Sequence, residues 1–102
     1  MRLTPADKIK MRLSEETAVQ KARADLSHRL GVSESAIQTA SVVKTDFPDM
    51  SLGAGVSGEM SAQMIATGWL IKLSVAGKTY EYRADKSHLR LVGFAGKNFV
   101  ID

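Results

Sequence analysis

The chain has 102 residues, 44% of them hydrophobic, with 14 Lys or Arg against 11 Asp or Glu for a net charge of +3. That length fits one domain, able to bury roughly 60–68% of its unfolded surface. The absence of cysteine excludes disulfides, thiol nucleophiles and thiolate metal sites, and no apolar run nears the ~20 residues of a membrane-spanning helix.

Arg2, Lys8, Lys10 and Arg12 gather near the start. Residues 1–13 read as a flexible basic arm ahead of a single domain over 14–102. The arm has no dense basic run and no aromatic residue to stack bases, so nucleic acid is a disfavoured partner and a solvated tail the expected role. Its MRLTPADKIKMRL segment lacks the apolar stretch of a signal peptide. The sequence therefore suits a cytoplasmic chain, or an exported one whose leader has been removed.

Ser14 is placed to cap a helix, with Glu15 and Glu16 in the first turn where the helix dipole favours acids. Val19, Ala22, Leu26 and Leu30 recur at helical spacing, and Gly31 stands where a left-handed terminator belongs, followed by Val32. The helix is expected over Ser14–Leu30. A first strand is expected over Ile37–Thr45. There Ile37, Val42 and Val43 do not share one parity, which a bulge near Ala40-Ser41 reconciles. Pro48 cannot donate to a ladder and ends it.

The segment from Ser51 to Thr67 is a long connection with Gly53, Gly55 and Gly58 followed by Met60, Met64 and Ile65. Connections of this length are uncommon in small domains and are often functional. Its last part, Glu59–Ala66, has the composition for one or two helical turns, with Met60 and Met64 on one face. Two readings stand. The methionines fill gaps beneath the sheet, or the loop is a binding element displayed from a rigid scaffold.

The clearest signal follows. Trp69, Ile71, Leu73 and Val75 alternate with Leu70, Lys72 and Ser74, and after Ala76-Gly77 Tyr80, Tyr82 and Ala84 alternate with Thr79, Glu81 and Arg83. A turn at Ala76-Gly77 sets Leu73 opposite Tyr80, Lys72 opposite Glu81 and Ile71 opposite Tyr82. A turn at Gly77-Lys78 sets Lys72 against Arg83, so the first register is favoured by its opposite charges. Asp85-Lys86-Ser87 turns the chain into a strand at His88–Val92, and Gly93–Lys97 turns it again. Asn98–Ile101 is a short edge strand whose Phe99 and Ile101 share one face and require a cover. The expected architecture is α+β, one N-terminal helix packed on a three- to four-stranded antiparallel sheet, with a long loop between strands 1 and 2.

Catalytic patterns are lacking. His28 and His88 have no partner at ligand spacing, and neither a zinc-protease helix motif nor a phosphate loop nor a serine elbow occurs. Gly53-x-Gly55-x-x-Gly58 matches a dinucleotide fingerprint in letters alone, since no strand leads straight into it and no long helix follows. Asp46, Asp49 and Asp85 read as turn-forming acids. No cofactor and no metal site is expected.

Pro48, Asp49, Ser51, Leu52, Gly53, Gly58, Met60, Gln63, Gly68, Ile71, Gly77, Tyr80 and Tyr82 fall in a joint spacing, with Ala22, Asp25, Leu26, Arg29, Leu30, Gly31 and Val32 upstream. In this the chain resembles an uncharacterised family of small bacterial domains, many from exported proteins or lipoproteins. That family carries W-P-D-x-S-L-G-C, then M-x-x-Q, P-G-Y-x-I and G-x-x-Y-x-Y-H. The likeness spans about Val19 to Val92. Phe47 replaces its Trp, Trp69 its Tyr, Thr67 its Pro and Arg83 its His. Ala54 and Val92 stand at or near two of its cysteines, which implies that apolar packing replaces a disulfide here.

These observations favour a non-enzymatic protein-binding module whose surface is the 49–67 loop, with Asp49, Ser51, Gly53, Gly58, Met60, Gln63 and Met64 as candidate residues. Asp49, Ser51, Gly53, Gly58 and Gln63 have scaffold chemistry, and a projecting loop also suits a protease inhibitor. An alternative is an accessory subunit that forms a homodimer or joins a complex through Phe99 and Ile101. A small hydrolase or ligand carrier using Asp49 and Tyr82 is the least favoured. The identity of the partner is not written in the sequence.

Overall fold

The computed structural model describes residues 12–102. Of the basic arm, residues 1–11 lie outside that range. Arg12 is exposed, whereas Leu13 is buried and its N–H bonds to the Lys86 carbonyl at 2.8 Å, so the packed domain begins one residue before the expected boundary.

Helix α1 spans Glu15–Leu30. Ser14 caps it through a reciprocal pair: its hydroxyl accepts from Thr17 N–H, and Thr17 Oγ1 accepts from Ser14 N–H. Gly31 closes it at φ 66°, with its N–H returned to the Ser27 carbonyl. The fully buried stripe is Ala18, Ala22 and Leu26, with Val19 and Leu30 packed at its margins. Two alanines in that stripe let the helix lie close to the sheet.

The sheet has five strands, not three or four: β1 (Gln38–Phe47), β2 (Ala66–Val75), β3 (Lys78–Ala84), β4 (Leu89–Phe94) and β5 (Lys97–Val100). They pair antiparallel in chain order. The α+β class holds, and the extra strand arises because the last turn is tight enough for the C-terminal segment to pair with β4. The register of β1 shifts between Thr39 and Ser41, where the mixed parity of the sequence required a bulge. The β2–β3 hairpin takes the register that sets Lys72 against Glu81.

Alternation divides the sheet into two faces. Val42, Ile71, Tyr82, Leu91 and Phe99 line up across all five strands on the face that α1 covers. The Tyr82 hydroxyl donates to Asp25 on α1 at 2.7 Å, and Arg29 Nε donates to the same carboxylate oxygen at 2.7 Å. The opposite face carries Val43, Leu70, Arg83, Arg90 and Val100 in one row. The middle of this second face is covered by the 48–65 connection, which folds back over it, while Val43 and Val100 at its edges stay exposed.

Candidate functional site: a loop strapped across the sheet

Pro48 ends β1, and Asp49 begins the loop. One Asp49 oxygen accepts three hydrogen bonds: Ser51 N–H at 3.0 Å, Ser51 hydroxyl at 2.7 Å and Gly53 N–H at 3.0 Å. The Ser51 hydroxyl, followed by the Gly53 amide, holds this carboxyl below its ordinary range. The turn it organises drives Leu52 into a small second core with Phe47 and Ala66, at the expense of a left-handed backbone at Leu52, φ 63°. Such a conformation costs about 1–2 kcal/mol, comparable with the ~1.5–3 kcal/mol gained by burying a leucine.

Two arginines of the sheet hold the loop down. Arg83 Nη1 donates to the Leu52 carbonyl at 2.9 Å while its Nε pairs with Glu81 at 2.7 Å. Its guanidinium lies 5.8 Å from the centre of the Phe47 ring. A Cβ on Gly53 would stand 2.9 Å from Arg83 Nη1, so a side chain there would disturb the arginine's approach. Arg90, only 3% exposed, donates to the Ala54 carbonyl at 3.3 Å and grips Glu59 with two bonds. That grip lowers the Glu59 carboxyl to about 2, assisted by Val56 N–H and opposed by desolvation. Arg90 Nε is buried without a hydrogen-bond partner. Asn98 on β5 adds a bond to the Gly55 carbonyl at 3.0 Å, and Met50 N–H ties the two arms of the loop together through the Ala62 carbonyl at 3.0 Å.

Residues Glu59–Ile65 form no helix, and β2 begins at Ala66. Arg90 fixes the Glu59 side chain and Met50 engages the Ala62 carbonyl, which leaves a non-helical path. The methionines are not packed beneath the sheet either. Met60 is 96% exposed, Met64 64% and Ile65 72%. Leu52 and Met50 supply the packing that the methionines were expected to provide.

The other sequence candidates fall into place around this strap. Ser51 is buried, Gly58 turns the chain at φ 80°, and Gln63 is exposed, so the loop's ties come from Arg83, Arg90, Asn98 and Met50. Phe99 and Ile101 are half-buried and pack against the main core. Asp46 accepts from the Thr67 hydroxyl and forms no pair with Asp49. Asp49 sits on the loop side, and the Tyr82 hydroxyl reaches α1 on the other, so no site joins them. Asp85 caps its turn through Ser87 and His88 amides, with His88 Nδ1 3.0 Å away. Among the described residues no three His, Asp or Glu side chains gather at metal-binding distance, and no helix is long and apolar enough to cross a membrane.

Arg83, Arg90, Glu59 and Asn98 were not singled out by the sequence. A signal existed: Arg83 and Arg90 fall opposite each other in the β3–β4 register, an unfavourable pairing without acceptors. Glu59 is the single acid between Met50 and Ile65.

The family known as domain of unknown function DUF8738 matches residues 19–92. The chain belongs to the DUF8738 family. The matched stretch of this DUF8738 chain runs from α1 into β4 and takes in the whole strap, with Arg83 and Arg90 beneath it. No curated protein and no solved structure matches the chain.

Proposed function

We propose that this DUF8738 chain is a non-enzymatic protein-binding module and that its recognition surface is the outer arm of the strap, Met60–Ile65. The observation that carries this reading is the contrast within one loop. Five large apolar side chains are exposed among the described residues, and Met60, Met64 and Ile65 are three of them. Scattered exposed apolar residues need no explanation, but a group on one short segment does. Before it, Ser51, Leu52 and Ala54 are buried, and Leu52, Ala54 and Glu59 are bonded to two arginines. A partner that covered the three side chains would gain about 1.5–3 kcal/mol from each, and a pre-formed loop reduces the ordering cost of binding.

A photo-crosslinking amino acid placed at position 60 tests this. The same label at the exposed Lys78, the first residue of β3, is the control. Partner capture is expected from position 60 and not from 78, and M60D/M64D is expected to abolish it without loss of fold. Equal capture from both positions, or full retention by M60D/M64D, overturns the reading.

A further inference from the structure

We propose that Met60 is presented to the primary specificity pocket of a serine proteinase whose pocket is apolar, and that the strap inhibits that enzyme. This rests on the outer arm being the recognition surface and names the kind of partner.

Three observations carry it. Met60 is the most exposed large apolar side chain among the described residues. No helix, turn or bend interrupts the chain from Glu59 to Gln63, between the Gly58 turn and a bend at Met64. A segment free of helix and turn, with one protruding side chain, can offer its backbone to a cleft while a pocket reads the side chain.

The third observation separates an inhibitor from a substrate. Glu59, just before Met60, is held by two bonds to Arg90, rooted in β4. Ala62, just after Ser61, is held through its carbonyl by Met50 N–H. The Met60–Ser61 peptide bond therefore lies between two anchored residues. Attack of the proteinase serine oxygen on the Met60 carbonyl would break the peptide bond, leaving Met60 as an acyl ester on the enzyme and Ser61 as a protonated amine. Water would then cleave the ester to a Met60 carboxylate and restore the serine. Both new ends would stay tied to the domain, so the amine remains beside the enzyme-bound acyl group, and re-formation of the peptide bond competes with release. An untethered peptide loses its leaving half to solvent.

The side chains select the pocket. Residues 60–65 contain no charge, so a pocket with an acid at its base has no cation to bind. Methionine is unbranched and flexible and fills an apolar slot. Ser61 and Ala62 are small enough for close approach.

The test titrates the intact chain into chymotrypsin and subtilisin with a chromogenic peptide substrate, and into trypsin for contrast. Inhibition of at least one of the first two is expected, with Ki below about 1 µM. Met60→Lys is expected to weaken it ~100-fold, because a charge must be desolvated in an apolar pocket, and to confer inhibition of trypsin. Glu59→Gln leaves the pocket residue unchanged and frees one anchor, so cleavage after Met60 should accelerate ~10-fold, with circular dichroism confirming the fold. No inhibition of chymotrypsin or subtilisin at about 50 µM, or rapid cleavage of the unaltered chain at Met60–Ser61, overturns the proposal. If proteinases are unaffected while M60D/M64D still abolishes partner capture, only this inference falls. If capture also persists, the binding surface lies elsewhere.

Discussion

Arg90 and Glu59, 31 residues apart in the chain, meet through two parallel bonds, Nη1 to Oε1 at 2.6 Å and Nη2 to Oε2 at 2.5 Å. The arginine is buried and stands opposite Arg83, so the pair also offsets a repulsion between strands. Removing one partner strands a buried charge, whereas removing both strands none. Glu59→Gln is expected to cost about 1–3 kcal/mol in urea unfolding. Arg90→Met added to it should cost less than the sum of the single changes by about 1 kcal/mol or more. Simple additivity would show that the strap is held by packing instead.

The same pair sets an acid limit on the loop. The Glu59 carboxyl falls from an ordinary 4.5 to about 2 because Arg90 binds its charged form. A group whose folded value is lowered contributes stability that is complete above 4.5 and is lost as pH drops through about 2. Asp49 is shifted in the same direction, chiefly by the Ser51 hydroxyl, and adds to the loss with the same sign. Urea midpoints taken from pH 6 down to 2 should therefore fall most steeply at the acid end, and Glu59→Gln should flatten that fall. An unchanged slope in the variant would mean that other carboxylates govern the acid behaviour.

Tyr82 is fully buried, and its hydroxyl donates to an Asp25 oxygen that also accepts from Arg29. Burial first, and then the Asp25 bond, push its ionisation above the ordinary 10.0. The neutral form is thus the one the fold holds, and stability is expected to decline as pH rises beyond 10.0. Tyr82→Phe should cost about 0.5–1.5 kcal/mol, since Asp25 keeps Arg29 as a partner. The variant should also lose part of the alkaline decline. A cost above about 4 kcal/mol would point to a packing role beyond the hydroxyl.

The main ribbon was legible because two independent signals agreed in it. Period-two patterning fixed the faces of β2 and β3, and Lys72 opposite Glu81 chose between two registers. The bulge in β1 was legible for a related reason, since no regular strand places Ile37 and Val42 on one face. The strap was not legible. Its anchors join loop residues to strand residues more than 30 positions away, and an arginine on a polar strand face reads as solvated until something covers it. The methionines misled in the opposite direction, because apolar composition suggests burial while the loop gives its buried places to Leu52 and Ala54. The fifth strand was underestimated because Lys97–Val100 is only four residues long. Its hold on the domain comes partly from outside the strand. Leu89 bonds with Ile101 and Asp102, and Lys21 pairs with Asp102.

Both tight hairpin turns use the same two residues, and both carry the same strain. Ala76-Gly77 joins β2 to β3 at φ 49° and 81°, and Ala95-Gly96 joins β4 to β5 at φ 53° and 78°. Positive φ at both central positions matches the twist of paired strands and suits Asn-Gly, whereas a Cβ without a local hydrogen bond makes alanine unfavourable there. Ala76 and Ala95 are exposed, so a larger polar side chain meets no packed neighbour. Ala76→Asn and Ala95→Asn should each stabilise the fold by about 0.5–1 kcal/mol, measured by urea unfolding, while Ala76→Val should destabilise it by a similar amount. The Ala95 change carries an added readout. Asn98 follows that turn and bonds the Gly55 carbonyl, so a firmer β4–β5 turn should slow amide exchange at Val56 and Glu59. Stabilisation without slower exchange there would show that the turn and the strap are energetically separate.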